Sequence, residues 1–466
     1  MATQLAHPPS SLVLADGAVD ALRTALRGQV LRAGDPGYDE ARAVWNAMVD
    51  RHPALIARCA GVADVVGAVA FARDHGLAVA VRGGGHNVAG SAVADGALVV
   101  DLSPMKAVRV DPAARTARAE GGATWGAFDR ETQAFGLATT GGQLSTTGVG
   151  GLTLGGGFGW LMRPFGLACD NLLAADVVLA DGRVVTASER EHADLFWGLR
   201  GGGGNFGVVT SLEYRLHEVG PALVAGMLLH PLAAAPELLR FHRDAAPAAP
   251  DALTTLAILL TSPDGAPLAA LAPAYAGPVA EGEAAVRPLR AFGAPVADTV
   301  GPMAYRDLQA MFDAGFPGGR RAYWKSGFLR GLDDGAIDAL VEHFARVPSP
   351  LSAVLVEPYG GAAGRVDPGA TAFPHRSAPF NLVVLSSWED PTQDAANIGW
   401  ARELWAAMGP FAAGGVYVNY LGDAAAEGGD RVRAAYGPNY GRLAALKRAY
   451  DPGNLFRSNQ NIAPAG

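Results

Sequence analysis

Hydrophobic positions in the first half of the chain recur with two periods. Val62, Val65, Val66 and Val69 share one helical face and are followed by Gly76, so the spacing predicts a helix over 62–75. Short apolar runs predict strands at 78–82, 97–102, 107–110 and 116–120, and the helical period returns at 125–135. The runs 177–179 and 184–186 flank Asp181-Gly182, the signal of a tight hairpin, and 208–216 reads as a further strand. From about 219 to 410 the chain changes to Ala-, Pro- and Leu-rich segments of helical spacing, mixed with β-like runs at 253–260 and 380–386, which indicates a second unit. The tail, 416–462, predicts a strand, a helix over 440–450 and a turn at Asp451-Pro452-Gly453-Asn454.

Composition narrows the function classes. A chain of 466 residues that is 50% hydrophobic and 18% charged describes a globular protein of two or three packed units. The charge balance, 37 − 45 = −8, comes with no basic block, which removes nucleic acid as a partner. Two cysteines, Cys59 and Cys169, are too few for a disulfide framework or a Cys-rich metal centre, so no metal is expected and a reducing, cytoplasmic setting is. Residues 1–17 carry no basic region leading into an apolar one, and no stretch approaches the length of a membrane span. P-loop, H-E-x-x-H and G-x-S-x-G motifs are absent.

Glycine carries the most information. R-G-G-G-H-N at 82–87 follows a predicted strand, where consecutive glycines let backbone N–H groups converge on an anion such as phosphate; an ordinary glycine turn is the alternative. A second cluster over 141–159 interleaves glycine with hydroxyl side chains, which suits close approach to a flat ligand. The third, at 202–207, matches G-x-G-x-x-G but follows a helix and leads into a strand, the reverse of the dinucleotide-binding context.

Taken in order, R-G-G-G-H-N at 82–87, G-V-G-G-L-T-L-G-G-G-F-G at 148–159, G-L-A-C-D-N at 166–171, D-L-F-W-G-L-R-G-G-G-G-N-F-G at 194–207, and the C-terminal Y-V-N-Y, Y-G-P-N-Y and D-P-G-N-L-F-R-S-N-Q-N-I resemble the berberine-bridge-enzyme-like FAD-linked oxidases of the vanillyl-alcohol oxidase/PCMH flavoprotein superfamily. The resemblance covers about 46–462. It implies an α+β fold with a PCMH-type FAD-binding domain over 1–217 (core about 46–217). It also implies a substrate-binding domain over 218–410, an antiparallel sheet backed by helices, and a berberine-bridge-like segment over 411–466 that returns to the FAD domain.

The resemblance also implies site residues. Arg82, Gly83, Gly84, Gly85, His86 and Asn87 form the loop that binds the FAD pyrophosphate, with His86 as the covalent anchor. Gly141, Leu144, Thr146, Thr147, Gly150 and Gly151 continue the cofactor site, as do Gly155, Gly156, Gly157, Gly207, Val208 and, from the tail, Asn459. Leu144 stands where some members carry a second, cysteine tether; leucine cannot form a thioether, so a single tether is expected. Thr147 falls near the position associated with oxygen access, and Cys169 reads as a buried structural thiol. Tyr420 of Y-V-N-Y is the expected base, with Tyr417 and Asn419 on the other face of a strand packing on the cofactor domain, and a cation such as Arg82, Lys325 or Arg376 expected to lower its pKa from about 10. Tyr323, Lys325, His375 and Asn381 are candidate substrate residues; Trp324 completes an aromatic and cationic cluster with Tyr323 and Lys325, the segments 357–359 and 375–376, Glu357 among them, are further candidates for the pocket lining, and Val383 and Leu385 alternate on the strand that Asn381 begins. The expected reaction is oxidation of an alcohol, amine or activated C–H in a small organic molecule, sugar or secondary metabolite by hydride transfer to FAD, with O₂ reoxidation to H₂O₂. A dehydrogenase of the same fold using another acceptor, or a redox-neutral flavin-dependent cyclase, is the alternative.

Overall fold

The computed structural model describes residues 14–422 and 428–466; the N-terminal stretch expected to carry no leader lies, through residue 13, outside the described residues. Near the start, a four-stranded sheet runs in the order Gln29–Leu31, Leu55–Arg58, Leu98–Asp101, Val79–Arg82. Its last three strands are parallel, and the helix Val62–Asp74 makes the crossover, burying Val65, Ala68, Val69 and Ala72 against them. A five-stranded antiparallel sheet follows, ordered Val108–Asp111, Thr116–Glu120, Val208–Arg215, Leu172–Val178, Val184–Ser188. Asp181-Gly182 turns its edge hairpin, with Gly182 at φ 88° as that turn requires. The predicted helix over 125–135 forms as Trp125–Thr132 and tightens into a 3₁₀ turn, Gln133–Phe135.

A nine-stranded antiparallel sheet is built from residues 223–388. Five consecutive strands are Pro267–Tyr275, Leu253–Thr261, Ala353–Pro358, Phe380–Trp388 and, at the edge, Arg321–Leu329, in that order. Helices Ala235–Ala245, Asp334–Phe344 and Asp394–Met408 cover one face, where Leu382 and Val384 pack against Leu340, Trp400 and Leu404. Strand alternation sends Val383, Leu385, Leu355 and Trp324 to the opposite face. All nine residues of Phe380–Trp388 are buried, because both faces of the sheet are covered.

The tail packs back on the first half of the chain. Helices Gly429–Tyr436 and Tyr440–Tyr450 bury Val432, Tyr436 and Leu443 against Leu195 and Phe206. The Lys447 ammonium, fully buried, donates to the Asn205 carbonyl at 2.7 Å, the Phe456 carbonyl at 2.9 Å and the Asp451 carboxylate at 2.7 Å. The expected strand at Y-V-N-Y does not form: Val418–Tyr420 is a 3₁₀ turn. The Asn419 side-chain amide donates to the Leu152 carbonyl at 2.9 Å and to the Tyr417 hydroxyl at 2.7 Å, and these bonds replace a strand ladder.

Candidate active site

One continuous cavity runs from the glycine loop at the end of strand Val79–Arg82 to the helix-free face of the nine-stranded sheet. Gly84 and Gly148 let two loops touch: a Cβ on Gly84 would lie 2.6 Å from the Gly148 nitrogen, so only glycine permits that approach. His86 leaves the loop into the cavity, its Nε2 3.1 Å from the Thr146 hydroxyl and its ring stacked on Trp45 at 5.0 Å. Desolvation pushes the imidazole pKa down to about 4, so His86 is neutral at physiological pH. Trp45 in turn donates its indole N–H to the Phe316 carbonyl at 3.2 Å, which ties the histidine to the far wall.

The 3₁₀ turn brings Tyr417, Asn419 and Tyr420 to the same wall. Tyr417 stacks on Phe158 at 4.1 Å and accepts from the Gly157 N–H at 2.8 Å. Tyr420 donates its hydroxyl to Glu357 Oε1 at 3.3 Å. That same oxygen accepts from Gln143 Nε2 at 2.8 Å, and Oε2 accepts from Asn381 Nδ2 at 2.6 Å. Burial raises the Glu357 pKa above the usual carboxylate value, against the lowering effect of its three donors. The expected lowering of Tyr420 is reversed. Burial, then the charge of Glu357, holds its phenol well above the ordinary value. The three cations named from the sequence are engaged elsewhere: Arg82 with the Ala41 carbonyl, Arg376 with Asp170 at 2.8 Å, and Lys325 over the Tyr323 ring.

Of the residues picked from the sequence, Gly83, Gly84, Gly85, His86, Asn87, Leu144, Thr147, Gly150, Gly151, Gly207, Tyr417, Asn419, Tyr420 and Asn459 line the cavity. Thr146 stands behind His86, and Asn381 behind Glu357. Several others are corrected. Arg82 turns its guanidinium away to Ala41, Gly141 packs under Trp125, and Val208 is buried in the core beneath the first sheet. Gly155, Gly156 and Gly157 accommodate Asn419, Phe373 and Ala168 rather than a ligand. Tyr323 and Lys325 lie on the helix-covered face of Arg321–Leu329, where the Tyr323 hydroxyl accepts from Arg402 Nε at 3.1 Å; alternation gives the cavity Trp324 instead. His375 lies between Phe328 and Phe373 and donates to the Ala434 and Ala435 carbonyls at 3.1 and 3.0 Å, off the cavity wall. Cys169 is buried, as expected.

Two family models match the chain: FAD binding domain over residues 53–188, and berberine and berberine like over 416–463. The chain is 33% identical to (R)-6-hydroxynicotine oxidase of Paenarthrobacter nicotinovorans over 95% of its length and 98% of that protein's. The chain belongs to the berberine-bridge-enzyme-like FAD-linked oxidoreductases. This FAD-linked oxidoreductase is also 31% identical to an FAD-linked oxidoreductase of Dictyostelium discoideum, over 94% of its own length and 95% of the relative's. The crystal structure of 6-hydroxy-D-nicotine oxidase from Arthrobacter nicotinovorans superposes with a TM-score of 0.87 at 31% identity, covering 94% of this chain and 98% of that one. A chitooligosaccharide oxidase superposes at 0.86 with 26% identity, covering 96% and 100%.

The cavity of the oxidoreductase fits FAD. Asn459 and Gln460 stand on its wall with buried amide oxygens that have no protein partner, and Gly151 and Gly204 face open space. Among the described residues no lysine or arginine lines the cavity, so a pyrophosphate there would be held by backbone N–H groups of the glycine loop. Of the other wall residues, Trp324, Val383 and Leu385 are among the second-unit candidates read from sequence and Gln143 lies within the second glycine cluster, whereas Leu355, Phe312 and Phe316 are not legible there. Only the pairing of distant strands reveals the network around Glu357. Among the described residues no cluster of His, Cys, Asp and Glu could hold a metal ion, and no helix is long and apolar enough to cross a membrane.

Proposed function

We propose that this oxidoreductase oxidises an alcohol, amine or activated C–H of a small organic molecule or sugar, carries its FAD on a single covalent bond to His86, and passes the electrons to O₂ as H₂O₂. Bound FAD supplies the hydride acceptor. The observation that carries the reading is a buried carboxyl, Glu357, joined by hydrogen bonds to two residues of the cavity wall, Gln143 and Tyr420. An alcohol C–H gives up hydride as its O–H loses the proton, whereas an amine does so from its neutral nitrogen and sheds a proton before or after the transfer, so a proton acceptor beside the bond serves both. Tyr420 is held neutral, so its oxygen takes the substrate proton as its own passes to Glu357 Oε1. Gln143 fixes that carboxylate oxygen, and Asn381 fixes the other.

His86 suits the anchor role because its imidazole is uncharged, and Leu144 on the same wall offers no second nucleophile. The reading includes an FAD-binding domain over 1–217, a substrate domain over 218–410 and a returning segment over 411–466; the separate sheets support that division. It also includes a cytoplasmic setting, supported by two free, buried cysteines. The test is peroxide release. Acid precipitation that leaves the yellow colour in the pellet, with H₂O₂ formed alongside product in air, is expected. Flavin reduction without peroxide would replace O₂ by another acceptor, and a colourless protein would overturn the proposal.

A further inference from the structure

The half of the cavity opposite the glycine loops is chemically uniform. Between Val209 and Tyr417 the chain contributes Phe312, Phe316, Trp324, Leu355, Val383 and Leu385 to the wall, and the one polar atom their side chains carry is the Trp324 indole N–H, buried without a protein partner. Asp313, next to Phe312, stands off the wall and accepts from the Ser145 N–H and hydroxyl. Apart from that indole N–H, the described polar groups reach this half at one end, through Gln143, Tyr420 and the Glu357 carboxyl behind them. The apolar part is largely aromatic: Trp324 stands edge-on to Trp45 at 5.4 Å and to Tyr420 at 5.9 Å, beside Phe312 and Phe316.

Resting on the oxidase reading above, we infer that the substrate is a flat, aromatic amine or alcohol with a single proton-donating group, and not a mono- or oligosaccharide. A sugar carries hydroxyls around its whole rim. Beyond one that could accept from the Trp324 N–H, each hydroxyl pressed against this wall would lose water without gaining a partner, a cost of about 1–3 kcal/mol per unpaired group. An aromatic body loses nothing there and gains ring-to-ring contact with Trp324, Phe312 and Phe316. Its one N–H or O–H falls where Tyr420 and Glu357 wait, which places the adjacent C–H as the bond to be oxidised.

The experiment ranks binding by titration calorimetry under nitrogen on the purified full-length protein, with flavin content measured separately by absorbance. The probes are benzylamine, 1-phenylethylamine, tetrahydroisoquinoline and benzyl alcohol against glucose, cellobiose and xylobiose. At least one aromatic probe should bind about tenfold or more tighter than every sugar. Phe312→Ala and Phe316→Ala, both at half-buried positions, should each weaken that probe by about tenfold while leaving sugar binding and the thermal melting of the protein unchanged. A sugar that binds as tightly as the aromatics, the absence of any aromatic binding, or unchanged affinity in both variants overturns the inference. Protein purified without flavin overturns the oxidase reading instead, and the calorimetric ranking still decides the ligand class.

Discussion

Replacing Glu357 by glutamine isolates the proton acceptor from the fold around it. In the parent, Oε1 accepts from Gln143 at 2.8 Å and from Tyr420 at 3.3 Å, and Oε2 accepts from Asn381 at 2.6 Å. An amide keeps one acceptor oxygen, which can serve Gln143 and Tyr420, but then points its NH₂ at the NH₂ of Asn381. Left so, one buried donor loses its partner at a cost of about 1–3 kcal/mol. Asn381 has a remedy: its own Oδ1 is buried with no partner, so a flip of its amide turns that oxygen to the new NH₂ and restores the bond. Glu357→Gln should therefore fold, retain FAD and lose at most about 1 kcal/mol of stability.

Its chemistry should suffer far more. Loss of a general base costs about 10²- to 10⁴-fold, equivalent to roughly 3–5 kcal/mol of barrier. The assay is anaerobic stopped-flow reduction of the bound flavin by a turnover substrate. In the parent the rate should climb as pH rises through the raised Glu357 pKa, because only the ionised carboxyl accepts a proton; in the variant that limb should vanish. Linkage gives a second sign. With the folded-state pKa above the unfolded one, the contribution of this carboxyl to stability is complete at low pH and is lost as pH rises through the folded value, so the parent should lose more stability than the variant on going alkaline. A Glu357→Gln protein reduced within about threefold of the parent rate, with the pH limb intact, would refute the assignment.

Other expected outcomes follow from single contacts. His86→Ala should release its FAD on acid precipitation, and retention of the colour in the pellet would move the anchor elsewhere. Tyr420→Phe leaves Gln143 and Asn381 on Glu357 and should keep FAD attached, yet slow flavin reduction by about 10²-fold or more, measured in the same stopped-flow assay. Gly155→Ala would set a Cβ 2.1 Å from Asn419 Oδ1, and thermal melting should show a loss of about 1–3 kcal/mol as the Tyr417–Asn419 turn shifts. Lys447→Met leaves Asp451 charged and fully buried, so denaturant unfolding should show a loss of about 3–5 kcal/mol.

Much of the fold was legible because local chemistry and tertiary packing agreed. Val65 and Val69 mark the crossover helix, and Asp181-Gly182 marks a hairpin whose strands do pair. Y-V-N-Y misleads because Tyr, Val and Tyr favour strands, whereas its conformation is decided by where Asn419 finds acceptors, in residues far away in sequence. Tyr323, Trp324 and Lys325 mislead differently. Three polar or aromatic neighbours form one cluster on paper, but a strand must send the middle one to the opposite face. Glu357 was named as a possible lining residue yet its network was hidden, since its three partners come from a glycine loop, a neighbouring strand and the tail.

The tail returns after everything else is in place: Phe456, Ser458, Asn459 and Gln460 complete a cavity whose first wall strand begins at Val79. A ribosome makes these pieces in that order, so a nascent chain carries the glycine loop and His86 long before it has the residues that close over them. The wall is thereby incomplete until synthesis has passed residue 460, and a chain stopped short, even by a premature codon after the helix Tyr440–Tyr450, would leave the cavity open along one side.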